Sequence, residues 1–240
     1  MRKLLAVIFM AAGICGAAQL WGQEAAETAL YHSLQGRMNV SRKDVRVVAE
    51  PGMKILIGRL DAVDIHSGAF TVGKLRFESF DCSLDRLSIN PFETLLHTRL
   101  SVGRAAGGQV QAVIGARDLE EYLRARTDKI AGAVVTFEGD EVHVRGDIGL
   151  GGLISAACEY GGGWGPLSRP PADVTGKFVV EGTSLKFAPS RIYVEGAGKK
   201  FGTETVGKVE IYDFDNFPFG LVPDSAAIEN NRLVIHGRVR

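Results

Sequence analysis

The chain of 240 residues predicts a strand-rich α+β fold: an antiparallel β-sheet with one main internal helix and a short helix before it. Three observations carry this expectation. Strand-like alternation of apolar and polar residues recurs between Val45 and Arg240, as in Leu75/Phe77, Phe80/Cys82/Leu84, Val110/Ala112/Ile114, Phe178/Val180, Leu185/Phe187 and Leu233/Ile235. Period two sends successive side chains to opposite faces, so each strand has one apolar and one wet face. Only one internal segment has strong helical spacing. Glycine, at 30 residues, is about twice its usual share and supplies turns, bulges and points of curvature. A sheet with one apolar face and so few helices to cover it must curl on itself or be filled by something else.

The N-terminus has the layout of an export signal. Arg2 and Lys3 precede an unbroken apolar or small-residue run, Leu4 to Ala18, which Gln19, Gln23 and Glu24 follow. Residues 1–22 are therefore expected to be a signal peptide or a retained N-terminal anchor. Small residues at Gly16-Ala17-Ala18 and from Ala18 to Gly22 both suit cleavage. The run from Leu4 to Trp21 also sits near the lower limit of the about 17–25 residues that span a bilayer. Lipid attachment at Cys15 is disfavoured by Ile14, where a small residue is wanted. Residues 23–44 read as an N-terminal helix, Ala25 to Leu34, and a linker. Residues 45–240 read as a single β-rich domain, placed in the periplasm or cell envelope.

Basic and acidic residues balance at 28 each; without Arg2 and Lys3 the count is 26 against 28, a net −2. Such a composition gives no global basic field for nucleic acid or anionic membranes. Cys82 and Cys158 both lie in strand-like segments, and a disulfide and two buried thiols are both open readings.

Along the chain, Val45 to Ala49 is a strand ending at Glu50-Pro51-Gly52, and Met53 to Ile57 is an apolar helical turn closed by Gly58. Leu60 to His66 turns at Ser67-Gly68. Phe70 to Ile89 returns with slips of phase near Ser79 and Arg86, the mark of bulges or bends. Asn90-Pro91 stops that run, with a helical turn at Thr94 to His97. Thr98 to Arg104 and Gln109 to Ile114 are expected to form a hairpin around Ala105 to Gly108. The strong helix is Arg117 to Lys129, with Leu119, Tyr122, Leu123 and Arg126 on one side and Asp118 in its first turn. Ala133 to Phe137 and Val142 to Gly146 flank Gly139-Asp140, and Ile148 to Tyr160 is a further strand. Gly161 to Pro171, with Trp164, is a loop. Phe178 to Glu181 and Ser184 to Phe187 flank Gly182-Thr183. Gly196 to Gly207 reads as a mobile stretch. Ala226 to Ile235 closes the chain as a hairpin on Asn230-Asn231.

Catalysis has no foothold in this pattern. His32, His66, His97, His143 and His236 neighbour no Ser or Cys nucleophile motif and lack ligand spacing, and no GxSxG, HExxH, GxGxxG or P-loop is present. Asp213 and Asp215 look like half of a calcium loop but lack its glycine and distal Glu. A wet face alternating with Tyr212, Phe214 and Phe217 accounts for them better. Glu120-Glu121, Asp81 and Asp85 read as wet-face charges. No catalytic residue, metal or cofactor is expected, and the combination favours a container over an enzyme.

The segment from Val45 through Glu50-Pro51-Gly52-Met53-Lys54-Ile55-Leu56-Ile57-Gly58 to Asp61-Ala62-Val63-Asp64-Ile65 resembles the opening of the LmeA-like phospholipid-binding family. There a strand, a Pro, a short apolar turn and a Gly precede a second strand. Gly115-Ala116-Arg117-Asp118-Leu119 resembles that family's entry into its helix, and Phe217-Pro218-Phe219-Gly220-Leu221 with Leu233 to Gly237 resembles its end. The motifs fall in order across Val45 to Gly237. The resemblance implies a strongly curved antiparallel β-sheet, a half-barrel or tube wrapped around one main helix as in tubular lipid-binding proteins, with an apolar groove, a bacterial-envelope setting and phospholipid as ligand. Gly161 to Pro171 and Gly196 to Gly207 have no counterpart in it.

Lipid binding is physically coherent. At about 0.8 kcal/mol per CH₂, one long acyl chain costs roughly 10 kcal/mol to expose to water, so a carrier must supply an apolar environment. The expected groove wall is Ile55, Leu56 and Ile57 with Leu119, Tyr122 and Leu123. The expected mouth or membrane contact is Phe217, Phe219 and Leu221. The partners expected are a phospholipid or other acyl lipid and transient membrane contact, without nucleic acid. The competing reading is a non-enzymatic envelope structural or adaptor protein that binds a protein or glycan through strand edges and the Trp164 loop. A hydrolase with a site assembled from distant residues is the third.

Overall fold

The computed structural model describes residues 2–90, 102–126, 130–148, 171–194, 200–201, 207–217 and 221–239. The chain is α+β with antiparallel sheets, as its periodicity predicts. It forms two compact units: Met1–Phe70, Ser79–Gln111 and Arg238–Arg240 make the first, Thr71–Glu78 and Ala112–Gly237 the second.

The first unit opens with α1 (Arg2–Leu34). This is one continuous helix rather than a short one from Ala25, because its Ala- and Leu-rich run contains no proline and its glycines do not break it. Ala26, Leu30 and Leu34 are buried at the four-residue spacing of one helix face. Two side chains fasten the helix to the segment around Val47: the Gln23 amide donates to the Ala49 carbonyl at 2.9 Å, and a Glu27 carboxylate oxygen accepts from the Val47 N–H at 3.1 Å. β1 (Val45–Val48), a 3-10 turn (Gly52–Ile57), β2 (Arg59–Ser67) and β5 (Ser79–Ile89) complete this part of the unit. Their register stacks Val47, Val63 and Leu84 in one row and Val45, Ile65 and Cys82 in another. All six are buried. The slip of phase near Arg86 is a left-handed residue, φ 48°, after which burial resumes at Leu87 and Ile89.

The hairpin expected around Ala105 to Gly108 is absent: β6 (Val102–Gly115) runs straight through it. Gly108 serves close approach instead of a turn, since a Cβ there would lie 2.7 Å from Leu84 Cδ2 and 3.1 Å from the Ser83 carbonyl oxygen. A Cβ on Gly107 would meet nothing within 4 Å. Gly108→Ala is therefore expected to cost about 1–3 kcal/mol by overpacking. Gly107→Ala should be neutral or stabilising by a few tenths, up to about 1 kcal/mol. Urea denaturation midpoints of the two variants check the contrast; equal midpoints would remove the packing explanation.

From Thr71 on, a small hairpin, β3 (Phe70–Val72) and β4 (Leu75–Phe77), belongs to the second unit, which contains α2 (Ala116–Arg126). Then come β7 (Ile130–Glu138), β8 (Glu141–Ile148), β9 (Pro171–Glu181), β10 (Ser184–Val194), β11 (Lys200–Phe201) and β12 (Val209–Asp213). β7 to β10 pair in chain order, and β10 also pairs β12 along its first half and β11 at its end. Turns fall where the sequence places them, with Gly139 and Gly182 at φ 62° and 64°. β13 (Leu221–Glu229) and β14 (Arg232–Val239) form the closing hairpin on Asn230 and Asn231. Both asparagines are left-handed, at 49° and 61°, as a two-residue turn requires.

Within the stretch read as mobile, Lys200 and Phe201 form a strand against Ile192 and Tyr193. The rest of that stretch up to residue 206 lies outside the described residues. So do the Thr94 to His97 turn, the Ile148 to Tyr160 strand beyond Ile148 with its Cys158, the Trp164 loop, Lys129 and Phe219.

Candidate functional site

One face of the second unit's sheet is apolar across four strands. Val135 on β7 stands beside Val144 on β8, Val174 on β9 and Ile192 on β10; the next row is Phe137, Val142 and Gly176. Every residue in these rows is buried. The opposite face carries His143, Asp173, Lys177 and Arg191, which is the alternation that the sequence displays.

The sheet curls, and α2 shows how far. At one end, α2 covers the edge of β7 that no other described strand pairs: the Arg124 guanidinium donates to the Ala133 carbonyl at 2.8 and 3.0 Å, and Glu120 accepts from the Val135 N–H at 3.3 Å. Glu120 is thus an edge cap as well as a charge, holding a backbone group that an edge strand would leave unpaired. At the other end, the Tyr122 hydroxyl donates to the Ile211 carbonyl of β12 at 2.9 Å. One helix can touch both β7 and β12 only if the strands between them wrap around it.

The curvature has a local cause. Gly176 faces the β10 bulge between Pro189 and Arg191. A Cβ on Gly176 would lie 2.4 Å from the Ala188 carbonyl oxygen and 2.7 Å from the Phe187 ring. Only glycine lets β9 and β10 close to this distance.

Leu119, Tyr122 and Leu123, predicted as groove wall, lie together on the buried side of α2. They share the interior with an aromatic cluster. Phe77 meets Tyr212 and Phe217 edge-on at centroid distances of 6.0 and 5.2 Å, and Tyr212 meets Tyr122 at 6.2 Å and Phe214 at 4.8 Å. Burial pushes the Tyr212 phenol up to about 12, with Tyr122 and Asp213 adding to it. Phe217 and Leu221, predicted at the mouth, are only 4 % and 2 % exposed. Phe77, Tyr212 and Phe214 were visible in the sequence as alternating apolar positions, but nothing there showed that a remote hairpin would bring Phe77 among them.

Charge fixes the start of α2. Asp118, the carboxylate buried among the described residues, pairs with Arg76 at 2.9 Å, while Arg232 pairs with Glu78 at 2.9 Å. Both carboxylates flank Gly115, where a Cβ would reach within 2.3 Å of Glu78 Oε1. At the helix end, Lys74 donates to the Ala125 carbonyl at 3.0 Å, as a cation near a helix C-terminus should.

Ile55, Leu56 and Ile57, the other part of the predicted wall, belong to the first unit. There Ile55 is half-buried, while Leu56 and Ile57 are 40 % and 65 % exposed. The remaining polar candidates have structural surroundings. His66 pairs with Asp81 at 2.5 Å. Asp213 caps a 3-10 turn, accepting from the Asp215 N–H and the Thr183 hydroxyl at 3.0 Å each. Cys82 is a free thiol, and burial pushes it up to about 12, which keeps it protonated and unreactive. Among the described residues no group of three or more His, Cys, Asp and Glu side chains could hold a metal ion.

Comparison with known protein families matches residues 16–238 to the model described as LmeA-like phospholipid-binding. No curated protein and no solved structure matches the chain.

Proposed function

The chain belongs to the LmeA-like phospholipid-binding family, and from that premise we propose that it is an extracytoplasmic phospholipid carrier. Acyl chains lie against the apolar inner face of the curled sheet in the second unit, beside Leu119, Tyr122 and Leu123. The family is one of lipid-binding domains and not of known enzymes. The observation that carries the reading is the buried apolar row Val135, Val144, Val174 and Ile192, wrapped around a single helix. A curled sheet with a continuous apolar inner face is the environment that a hydrocarbon chain needs once it leaves a bilayer. The Arg2-Lys3 pair with the Leu4 to Ala18 run supports export, and with it a role in carriage or in building the cell envelope.

Mass spectrometry of organic extracts from the purified protein, with native mass on the same sample, tests this directly. Stoichiometric phospholipid is the expected result and names the ligand class. A folded protein free of lipid would overturn the carrier reading in favour of an adaptor that binds a protein or glycan.

A further inference from the structure

Eight large apolar side chains are exposed among the described residues: Leu20, Trp21, Met53, Leu56, Ile57, Val134, Tyr193 and Val209. Single exposed apolar residues are ordinary, whereas a cluster marks a binding surface. Five of these eight fall in two segments of the first unit, the end of the apolar part of α1 and the 3-10 turn Gly52–Ile57. The two segments touch. A Cβ on Gly22 would lie 3.2 Å from Ile55 Cδ1 and 3.5 Å from the Gly52 carbonyl oxygen. The Gln23 and Glu27 bonds to Ala49 and Val47 hold the helix in that place. Trp21, one position before Gly22 and 62 % exposed, therefore flanks the same surface as Met53, Leu56 and Ile57, whereas Leu20, about 200° around the helix from Gly22, points to another side.

We propose that this surface docks on a phospholipid bilayer, with the Met53, Leu56 and Ile57 turn entering the boundary between headgroups and acyl chains. Three features select a bilayer over a protein partner. α1 is unbroken from Arg2 to Leu34, so the apolar run from Leu4 to Ala18 leads straight to Leu20 and Trp21 on one helix. A tryptophan at the end of such a run is the residue that membrane interfaces favour, its ring apolar and its N–H wet. The one charge within the turn is already answered: Lys54 Nζ bonds both Asp61 oxygens at 2.8 and 2.9 Å, so no unpaired ammonium resists entry. Shallow insertion of a few apolar side chains is how a peripheral protein holds an interface. The choice of occupant rests on the phospholipid reading; the surface itself does not.

The test uses the full chain with Cys15→Ser and Cys158→Ser, leaving buried Cys82, and an environment-sensitive fluorophore on Ile57→Cys or, as control, on Ser83→Cys. The probe surface is mixed phosphatidylcholine and phosphatidylglycerol vesicles carrying quencher on the acyl chains. The expected result is a blue shift and quenching several-fold stronger at position 57 than at 83. Equal, water-like emission at both positions would overturn the docking surface, even with α1 holding the chain on the vesicle. Leu56→Asp placed beside the Ile57 probe should abolish the shift; an unchanged shift would also overturn the proposal. Lipid content of the same preparation separates the two ideas. Bound phospholipid with a water-exposed turn removes the docking surface alone, and an immersed turn in a lipid-free protein removes the carrier alone.

Discussion

Phe77→Ala is expected to destabilise the protein by about 3–5 kcal/mol, the usual cost of deleting a buried phenyl ring and leaving its cavity. Phe77 is fully buried on β4 and packs edge-on against both Tyr212 and Phe217. The two rings that it meets are themselves engaged with Phe214 and Tyr122, which holds them back from filling the space. Against a typical total stability of about 5–15 kcal/mol, the loss consumes much of the margin. Tyr122→Phe is the control: it keeps the ring and removes the hydroxyl with its bond to the Ile211 carbonyl, at a cost of about 1 kcal/mol. Urea denaturation measures both. Ultraviolet titration adds an independent signal, since Tyr212, pushed up to about 12 by burial, should move back toward its ordinary value of 10 when Phe77 is gone. The sign is that of a group kept neutral by folding. The stability it contributes is present below the unfolded value near 10 and is lost as pH rises toward about 12. A Phe77→Ala variant as stable as Tyr122→Phe would mean that the cluster is looser than its geometry.

Gly176→Ala should be the most damaging of the small substitutions. The new methyl would press on the Ala188 carbonyl oxygen at 2.4 Å and the Phe187 ring at 2.7 Å. The carbonyl cannot yield as a side-chain tip does, because it belongs to a strand paired to β9 itself. Overpacking costs about 1–3 kcal/mol, and a backbone obstacle sits at the upper end of that range. Relief would come from pushing β9 and β10 apart, which flattens the sheet at its bulge. Two losses are therefore expected together, in the denaturation midpoint and in copurifying phospholipid. A drop in stability with full lipid content would separate the curvature of these strands from the proposed binding surface.

Much of this architecture is legible in the sequence, and the residues show why. Alternation along Ala133 to Phe137 and Val142 to Gly146 reports strands with one apolar face because side chains alternate strictly with residue number. Gly139, Gly182 and Asn230-Asn231 report turns because they alone tolerate left-handed backbone cheaply. Leu119, Tyr122 and Leu123 report the buried side of α2 by spacing alone. Where a residue has two uses, sequence reading fails. Gly108 looks like a turn glycine, but its role is to let β6 lie against Ser83 and Leu84, and that neighbour is more than twenty residues away. Met53 to Ile57 looks like core because it is apolar, yet Leu56 and Ile57 are left open. Phe217 and Leu221 look like exposed anchors beside a proline and a glycine, yet they are buried. Hydrophobicity states what a side chain prefers to avoid; it does not state which side of the molecule will cover it.

By itself the sequence determined the α+β class, the strand periodicity, the turns at Gly139, Gly182 and Asn230-Asn231, the one strong helix and, through ordered motifs, the phospholipid-binding family. These are local quantities or sums of local quantities, set by backbone sterics and side-chain period. Only the tertiary structure decided that β7 and β12 both reach α2, that Phe77 joins Tyr212 and Phe217, and that Gly22 of α1 packs on Ile55 of the exposed turn. Each depends on pairs of segments remote in sequence, brought together by the burial of apolar area that no single segment could complete alone.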